Sequence, residues 1–581
     1  MSDNHLKLIE LPASDEIAID LMDPGRSTIA GAFRQSWMCG DVERSMVTYM
    51  PKNWYHNNRC IITAPPSGAD VLEFLEKSGL RAFSDESKVL VCVLEARNHA
   101  WDFGGTDCDF MNAAYKKVQG REYYNVMQDC IYAMGFGDGT NIAQQAAMRM
   151  ASEWSGLATF GTPSEAIFSL SLDQQDADSG KQTDEMFISG KRAQLPVWMV
   201  VQEKTDVTAR LADYWRGENN DTNEPLFDAH GTEVYLPRPL KRTSKINDDN
   251  IAQVRLTIAN ENEYPGKELL DYVWSYTGAA RRHRSYGCKV LRYYREPTAN
   301  GATYHTMVVD GMLREWYEYV PARYQDSNEP VPLVVVFHGR GSNGETFFDV
   351  TDMALVAEER GFIAAFPTAD IYQIRKGGFR GIRLWNGDYM GKATDSLPFV
   401  RKMVEDICSR HNIDAGRIFA CGQSSGGHMA SCCALRASDV FCAAAPWSGM
   451  TFPGAKLMQL RGEVNLENGK PPLYILVGKK DAFFGVNSLT PIPEDTELGK
   501  FLLYILGQYG LEDAPARYCS YPIDYYVWNN REGVPLLTVG LIDDLPHANY
   551  AEESRITYDE FFAKFSKDEQ GNRYYMGKKV G

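Results

Sequence analysis

Short apolar runs recur along the chain, and segments with apolar positions three and four apart follow them. In the first half the runs are "RCIITAPPSG" (Arg59–Gly68), "VLVCVLEA" (Val89–Ala96), "IYAMGFG" (Ile131–Gly137), "LATFGTP" (Leu157–Pro163) and "LPVWMVVQEKTD" (Leu195–Asp206). In the second they are "PLVVVFHGRG" (Pro332–Gly341), "IAAFPTA" (Ile363–Ala369), "RIFACGQSSGG" (Arg417–Gly427), "AAAPWSG" (Ala443–Gly449) and "PPLYILVGKKD" (Pro471–Asp481). None alternates polar with apolar, so both faces of each predicted strand are buried. That is the pattern of a parallel sheet covered by helices on both sides. Helix-period segments such as "DVLEFLEKSGL" (Asp70–Leu80) and "MALVAEERGF" (Met353–Phe362) stand between the strands. The predicted class is α/β.

The two halves run in the same order. "RSMVTYMP" (Arg44–Pro51) opens the first set and "REWYEYVP" (Arg314–Pro321) the second. Each set closes on a strand and an aromatic-rich helix. An ordered match of this length predicts a tandem repeat, with domains at 1–285 and 286–581. The boundary lies in the basic, aromatic stretch "RRHRSYGCKVLRYYREPTANG" (Arg281–Gly301), which is no flexible Gly/Ser linker.

One turn occurs in both halves with different chemistry. Gly422-Gln423-Ser424-Ser425-Gly426 follows a strand and opens a helix, the context of a nucleophile elbow. There the serine hydroxyl stands clear of the sheet, beside a helix N-terminus that favours negative charge. A serine needs a base. Of the two histidines beyond Ser424, His428 lies along the elbow helix, whereas His547 lies in the loop "DDLPHANY" after the last strand. The base is therefore His547. Chain order Ser, Asp, His then places the orienting acid at Asp481, which ends "PLYILVGKKD", with Asp544 as a substitute. The tetrahedral oxyanion needs N–H donors. Ser425 supplies one, and Arg340 in His338-Gly339-Arg340-Gly341 the other, with His338 bracing that loop. Trp385, Trp447 and Phe483, together with Phe484, line a substrate pocket or pack in the core.

In the first half Gly137 stands at the serine's place, and Pro65 and Pro66 stand where the second half has His338 and Gly339. Proline has no N–H to donate. Asp206 ends the matching strand, and no histidine occurs between His230 and His283. Asp138, one residue past the apex, has no base. The first half keeps the turn and lacks the reaction, and it is left to shape the pocket, bind a second ligand or mediate a homo-oligomer.

Composition narrows the partners. The 581 residues carry a net charge of −17, which argues against nucleic acid and anionic membranes. The N-terminal stretch has no apolar signal-peptide core, and no apolar run reaches membrane-spanning length. The 12 cysteines include no C-x-x-C pair, which reads as buried thiols in a reducing, cytoplasmic setting. No metal or cofactor is required.

The second half resembles the polyhydroxybutyrate depolymerase and feruloyl esterase group of α/β-hydrolases. The residues that carry the likeness are "VVVFHGRGSNGETF", "LWNGD", "DSLPFVRKMVEDICSRHNIDAGRIFACGQSSGGHMA", "ILVGKKD" and "PHANY", spanning roughly Trp316 to Phe565. The resemblance implies two tandem α/β-hydrolase folds, the first degenerate. It also implies a serine carboxylesterase with Ser424, Asp481 and His547 as triad. A soluble aryl (feruloyl-type) ester or a hydroxyalkanoate oligomer is the expected substrate. Peptidase, acyltransferase and pure binding functions are the alternatives.

Overall fold

The computed structural model describes residues 6–13, 17–119, 124, 126–169, 193–238, 250–260, 264–283, 290–327, 329–372, 382–389 and 392–580. The chain divides into two compact units that meet in sequence at Tyr294 and Arg295. The central strands of the first are β1 (Val42–Met50), β2 (Asn58–Ala64), β3 (Leu90–Leu94), β4 (Val126–Phe136), β5 (Leu157–Phe160), β6 (Val197–Val201) and β7 (Val254–Ile258). Those of the second are β8 (Met312–Tyr319), β9 (Val331–Phe337), β10 (Ile363–Pro367), β11 (Ile413–Gln423), β12 (Ala443–Trp447), β13 (Leu473–Gly478) and β14 (Pro535–Ile542).

Across the sheets these strands lie in the orders β1-β3-β2-β4-β5-β6-β7 and β8-β10-β9-β11-β12-β13-β14. The two orders are the same. β1 and β8 are antiparallel to their neighbours, and the rest pair in parallel. Edge strands that the apolar runs do not reveal extend both sheets, including the hairpin Ala516–Ser520 with Ile523–Asn529 beyond β14.

Alternate residues of the first unit's central strands feed opposite cores. In the first unit Ile62, Leu90, Cys92 and Leu94 face one cluster, and Ile61, Val91 and Val93 face the other. Successive side chains of a strand point to opposite faces, so a run without polar residues needs cover on both.

The first unit runs past residue 285. Ala280–His283 pairs antiparallel with Val290–Tyr293. Buried guanidinium groups anchor this hairpin. Arg281 reaches Asp129 at 3.2 Å, and Arg282 reaches the carbonyls of Ala151 and Gln194 at 2.9 and 2.6 Å. Arg281 and Arg282 are thus interior, because carbonyl and carboxylate oxygens meet their donors.

Matching registers place the two turns alike. Ala64 pairs with Gly135 and Phe136 with Phe160 in the first unit; Phe337 pairs with Gly422 and Gln423 with Trp447 in the second. Gly137 and Ser424 each come next in the chain. Gly137 N–H donates to Phe160 O at 2.8 Å, and Ser424 N–H to Trp447 O at 2.9 Å.

Candidate active site

The elbow is set by its glycines and by one strained residue. A Cβ on Gly422 would lie 2.3 Å from Phe337 O, and one on Gly426 would lie 1.9 Å from the same atom. Any side chain there would force strand and helix apart. Ser424 itself adopts φ 56°, ψ −117° and caps helix α2 (Ser425–Arg436). Such a conformation costs a non-glycine residue on the order of 1–3 kcal/mol, and the surrounding packing has to hold it.

His547 stands in the loop between β14 and helix α3 (Glu553–Glu560). Its Nε2 lies 2.8 Å from Ser424 Oγ, and its Nδ1 lies 2.8 Å from Asp481 Oδ2. A carboxylate can only accept, so the Nδ1–H donates to Asp481 and Nε2 accepts the serine hydroxyl. Asp481 sits just beyond β13. Its other oxygen, Oδ1, accepts the N–H groups of Phe483 at 2.8 Å and Phe484 at 3.2 Å. Burial pushes its carboxyl up, but the His547 ring and the Phe483 N–H outweigh that and hold it below the usual carboxylate value. The structure therefore brings Ser424, His547 and Asp481 together. Asp544 is ion-paired with Lys480 at 2.7 Å instead.

Arg340 follows β9 by three positions. The neighbouring Gly339 lies against the nucleophile, where a Cβ would be 3.6 Å from Ser424 Cβ. His338 braces this loop: its Nε2 accepts Ala369 N–H at 2.9 Å, which leaves Nδ1–H to donate to Gly339 O at 2.6 Å. A peptide's C=O and N–H point in opposite directions. Fixing the Gly339 carbonyl therefore fixes the direction of the Arg340 N–H. Ser425 opens α2 next to the nucleophile, and its hydroxyl accepts Trp385 N–H at 3.2 Å.

The two tryptophans are supports, not pocket walls. Trp385 is 0% exposed and donates its indole N–H to His338 O at 2.9 Å. Trp447 is 1% exposed and donates to Thr557 Oγ1 at 3.1 Å. Neither has surface left for a ligand. The first unit repeats the Trp385 bond, since Trp101 Nε1 donates to Pro65 O at 2.7 Å. Phe483 differs: it is 55% exposed, and its ring packs edge-on to His547 with centroids 4.9 Å apart.

Three contacts around these turns lie beyond sequence reasoning. His428 Nδ1 bonds Ser424 O at 2.7 Å. Glu553, buried at the start of α3, accepts the Asn549 amide and, at 3.1 Å, the Tyr550 N–H, and so ties down the His547 loop. Burial raises its carboxyl to about 8. In the first unit Ser67 is the residue three positions past its strand, as Arg340 is in the second. Its N–H donates to Asp138 Oδ1 at 2.7 Å and its hydroxyl to Oδ2 at 2.5 Å. The prolines do not remove the donor at that position; a carboxylate of the same unit occupies it. Asp206 is the first residue of helix α1 (Asp206–Asn219), behind an N-capping Thr205.

Residues 317–461 match the family model described as esterase PHB depolymerase. A feruloyl esterase B of Thermothelomyces thermophilus is 32% identical over 144 residues, 24% of this chain and 45% of the relative. A feruloyl esterase B of Neurospora crassa is 30% identical over 142 residues, 24% of this chain and 46% of the relative. The chain spans less than half the length of these two relatives. Among solved structures, an acetyl xylan esterase from Aspergillus awamori aligns with 45% of this chain and 99% of its own at 18% identity, with a TM-score of 0.33. The second unit is an α/β fold with a mostly parallel sheet, and its residues 317–461 resemble the PHB depolymerase and feruloyl esterase B sequences.

Proposed function

We propose, from the similarity of residues 317–461 to the PHB depolymerase esterases and from the contacts around His547, that the second unit is a serine carboxylic ester hydrolase. The observation that carries this reading is one imidazole with a serine hydroxyl on one nitrogen and a buried carboxylate on the other, each at 2.8 Å.

Ser424 Oγ attacks the ester carbonyl carbon as His547 Nε2 takes its proton. The N–H groups of Arg340 and Ser425 receive the oxyanion. Collapse of the intermediate breaks the bond to the alcohol oxygen, which leaves with the proton from Nε2, and Ser424 keeps the acyl group. Water then gives a proton to His547, attacks the acyl carbon and releases the acid and the free serine. The exposed Phe483 ring beside His547, and the resemblance to proteins named feruloyl esterase B, favour an aryl ester over a hydroxyalkanoate oligomer.

The first unit is in this reading a degenerate copy. It has glycine at the nucleophile's place, and Asp138 holds the donor at the oxyanion position. Eleven cysteines, most of them buried, are free among the described residues, which supports a reducing compartment such as the cytoplasm. No helix among the described residues is long and apolar enough to cross a membrane.

The test is intact-protein mass after a fluorophosphonate probe, with peptide mapping and a panel of feruloyl, short-acyl and hydroxybutyryl esters. One adduct, on Ser424, with hydrolysis of at least one ester is expected. No adduct and no hydrolysis would overturn the assignment.

A further inference from the structure

We infer that His428 is a positioning residue for the nucleophile: its ring clamps the Ser424 carbonyl and keeps the strained elbow in the one conformation that aims Oγ at His547. The inference rests on the esterase reading of Ser424.

Relaxing Ser424 out of φ 56°, ψ −117° would rotate its carbonyl as well as its side chain. That carbonyl is held twice by one residue. It accepts the backbone N–H of His428 at 3.0 Å and the ring Nδ1–H at 2.7 Å. The first is an ordinary i to i−4 helix bond; the second depends on histidine. The carbonyl is confined from the other side too. A Cβ on Gly449 would lie 2.0 Å from it, so this position leaves only the room the carbonyl needs.

The ring is built to stay in one form. It is 5% exposed and packs edge-on to Phe484, with centroids 6.0 Å apart. Burial pulls it down to about 4, against the opposing bond to Ser424 and with a smaller push from His547. It is therefore uncharged at neutral pH. Since the Ser424 carbonyl can only accept, the single ring proton sits on Nδ1. Nε2 is buried and has no hydrogen-bond partner among the described residues. The ring's one polar bond is thus to the elbow.

The chain contains its own comparison. Four residues past the first unit's apex stands Asn141. Its amide donates to Asp138 O at 3.0 Å, one residue further along than the apex carbonyl. The apex there is Gly137 at φ 55°, a conformation glycine adopts without a Cβ penalty. The clamp on the apex carbonyl occurs in the unit where the apex is strained and carries a hydroxyl.

The experiment measures kcat and KM on 4-nitrophenyl acetate, and the rate of fluorophosphonate labelling, for His428→Phe, His428→Asn and Ser424→Ala. His428→Phe keeps a ring and loses the donor. It is expected to lower kcat and the labelling rate roughly ten- to hundredfold, the effect of a slightly misplaced nucleophile, with KM within about twofold. His428→Asn offers its N–H at the offset where Asn141 of the first unit reaches the following carbonyl and not the apex one, so it is expected to lower both rates as well. Thermal melting separates misplacement from misfolding, and His428→Leu replaces the Phe variant if that one does not melt cooperatively. Wild-type kcat in the donor-less variant overturns the inference. A raised KM at unchanged kcat also overturns it, by making the ring a substrate contact. An inactive Ser424→Ala beside a fast His428→Phe removes this inference alone. A Ser424→Ala chain that hydrolyses normally removes the esterase reading.

Discussion

Replacing Asp481 with asparagine isolates one proton. Oδ1 already accepts two N–H groups, from Phe483 and Phe484, while Oδ2 faces His547 Nδ1. An asparagine keeps those two bonds only by putting its amide oxygen at the Oδ1 position. Its NH2 then points at Nδ1 and must donate to it. That forces the ring proton onto Nε2, where it faces Ser424 Oγ, so the ring can no longer accept the serine's proton. Size and hydrogen-bond count barely change, and only the tautomer is inverted. In serine proteases the same inversion costs about 10⁴-fold in kcat, which at ~1.36 kcal/mol per decade is about 5.5 kcal/mol of barrier. The assay is steady-state hydrolysis of 4-nitrophenyl acetate at pH 7.5 by Asp481→Asn, checked by circular dichroism for an unchanged fold. A kcat about 10⁴-fold below wild type, with KM nearly unchanged, is expected. A variant within about tenfold of wild type would refute the tautomer argument and, with it, the role of Asp481 as orienting acid.

Ser424→Ala should lose on the order of 10⁶ in kcat and all fluorophosphonate labelling, as triad knockouts do; retained labelling would place the reactive residue elsewhere. Gly137→Ser in a Ser424→Ala background should show no esterase activity, because Asp138 holds Ser67 and the closing segment between His230 and His283 contains no histidine to act as base; measurable turnover would count against the degenerate-copy reading. Glu553 gives a pH signature. Its folded value of about 8 lies above the ordinary 4.5, so the unfolded chain releases this proton first. Its contribution to stability is present below about pH 4.5 and is lost as pH rises to about 8, at a slope of at most ~1.4 kcal/mol per pH unit. Thermal midpoints of Glu553→Gln should fall less steeply over this window than those of wild type; parallel curves would argue against it. Trp385→Phe should lower the thermal midpoint and slow hydrolysis together, because the indole N–H to His338 O supports the oxyanion loop; lower stability with unchanged kcat would limit Trp385 to packing.

The succession of strands along the chain and the elbow are legible because their signals are local: an unbroken apolar run, then small residues at fixed spacing. His547 and Asp481 are reachable by chain order, since each lies just past a strand end. The tryptophans are not, because an aromatic residue beside a glycine turn reads the same whether it faces a pocket or fills the layer beneath. Only packing distinguishes Trp385 from Phe483. The Ser67–Asp138 bond joins residues 71 positions apart, beyond any periodicity. The boundary placed at 285 falls short for another reason: the pairing of Ala280–His283 with Val290–Tyr293 and the carbonyls gathered around Arg282 are not visible in the charge pattern. The role of His428 depends on one turn of helix carrying a ring back over its own N-terminus, which spacing allows but does not demand.

The Asp138 carboxylate has an evolutionary consequence. In a working hydrolase the loop N–H meets full negative charge only during the brief life of the intermediate. In the first unit a built-in anion meets it for the life of the protein. Once such a plug forms, restoring a serine at the apex brings no advantage, since nucleophile, vacant donor and base must all return together. The bond works as a ratchet. On the degenerate-copy reading it turns a loss that single substitutions could reverse into one they cannot, and it leaves the unit's surface to change under selection for whatever it binds or supports.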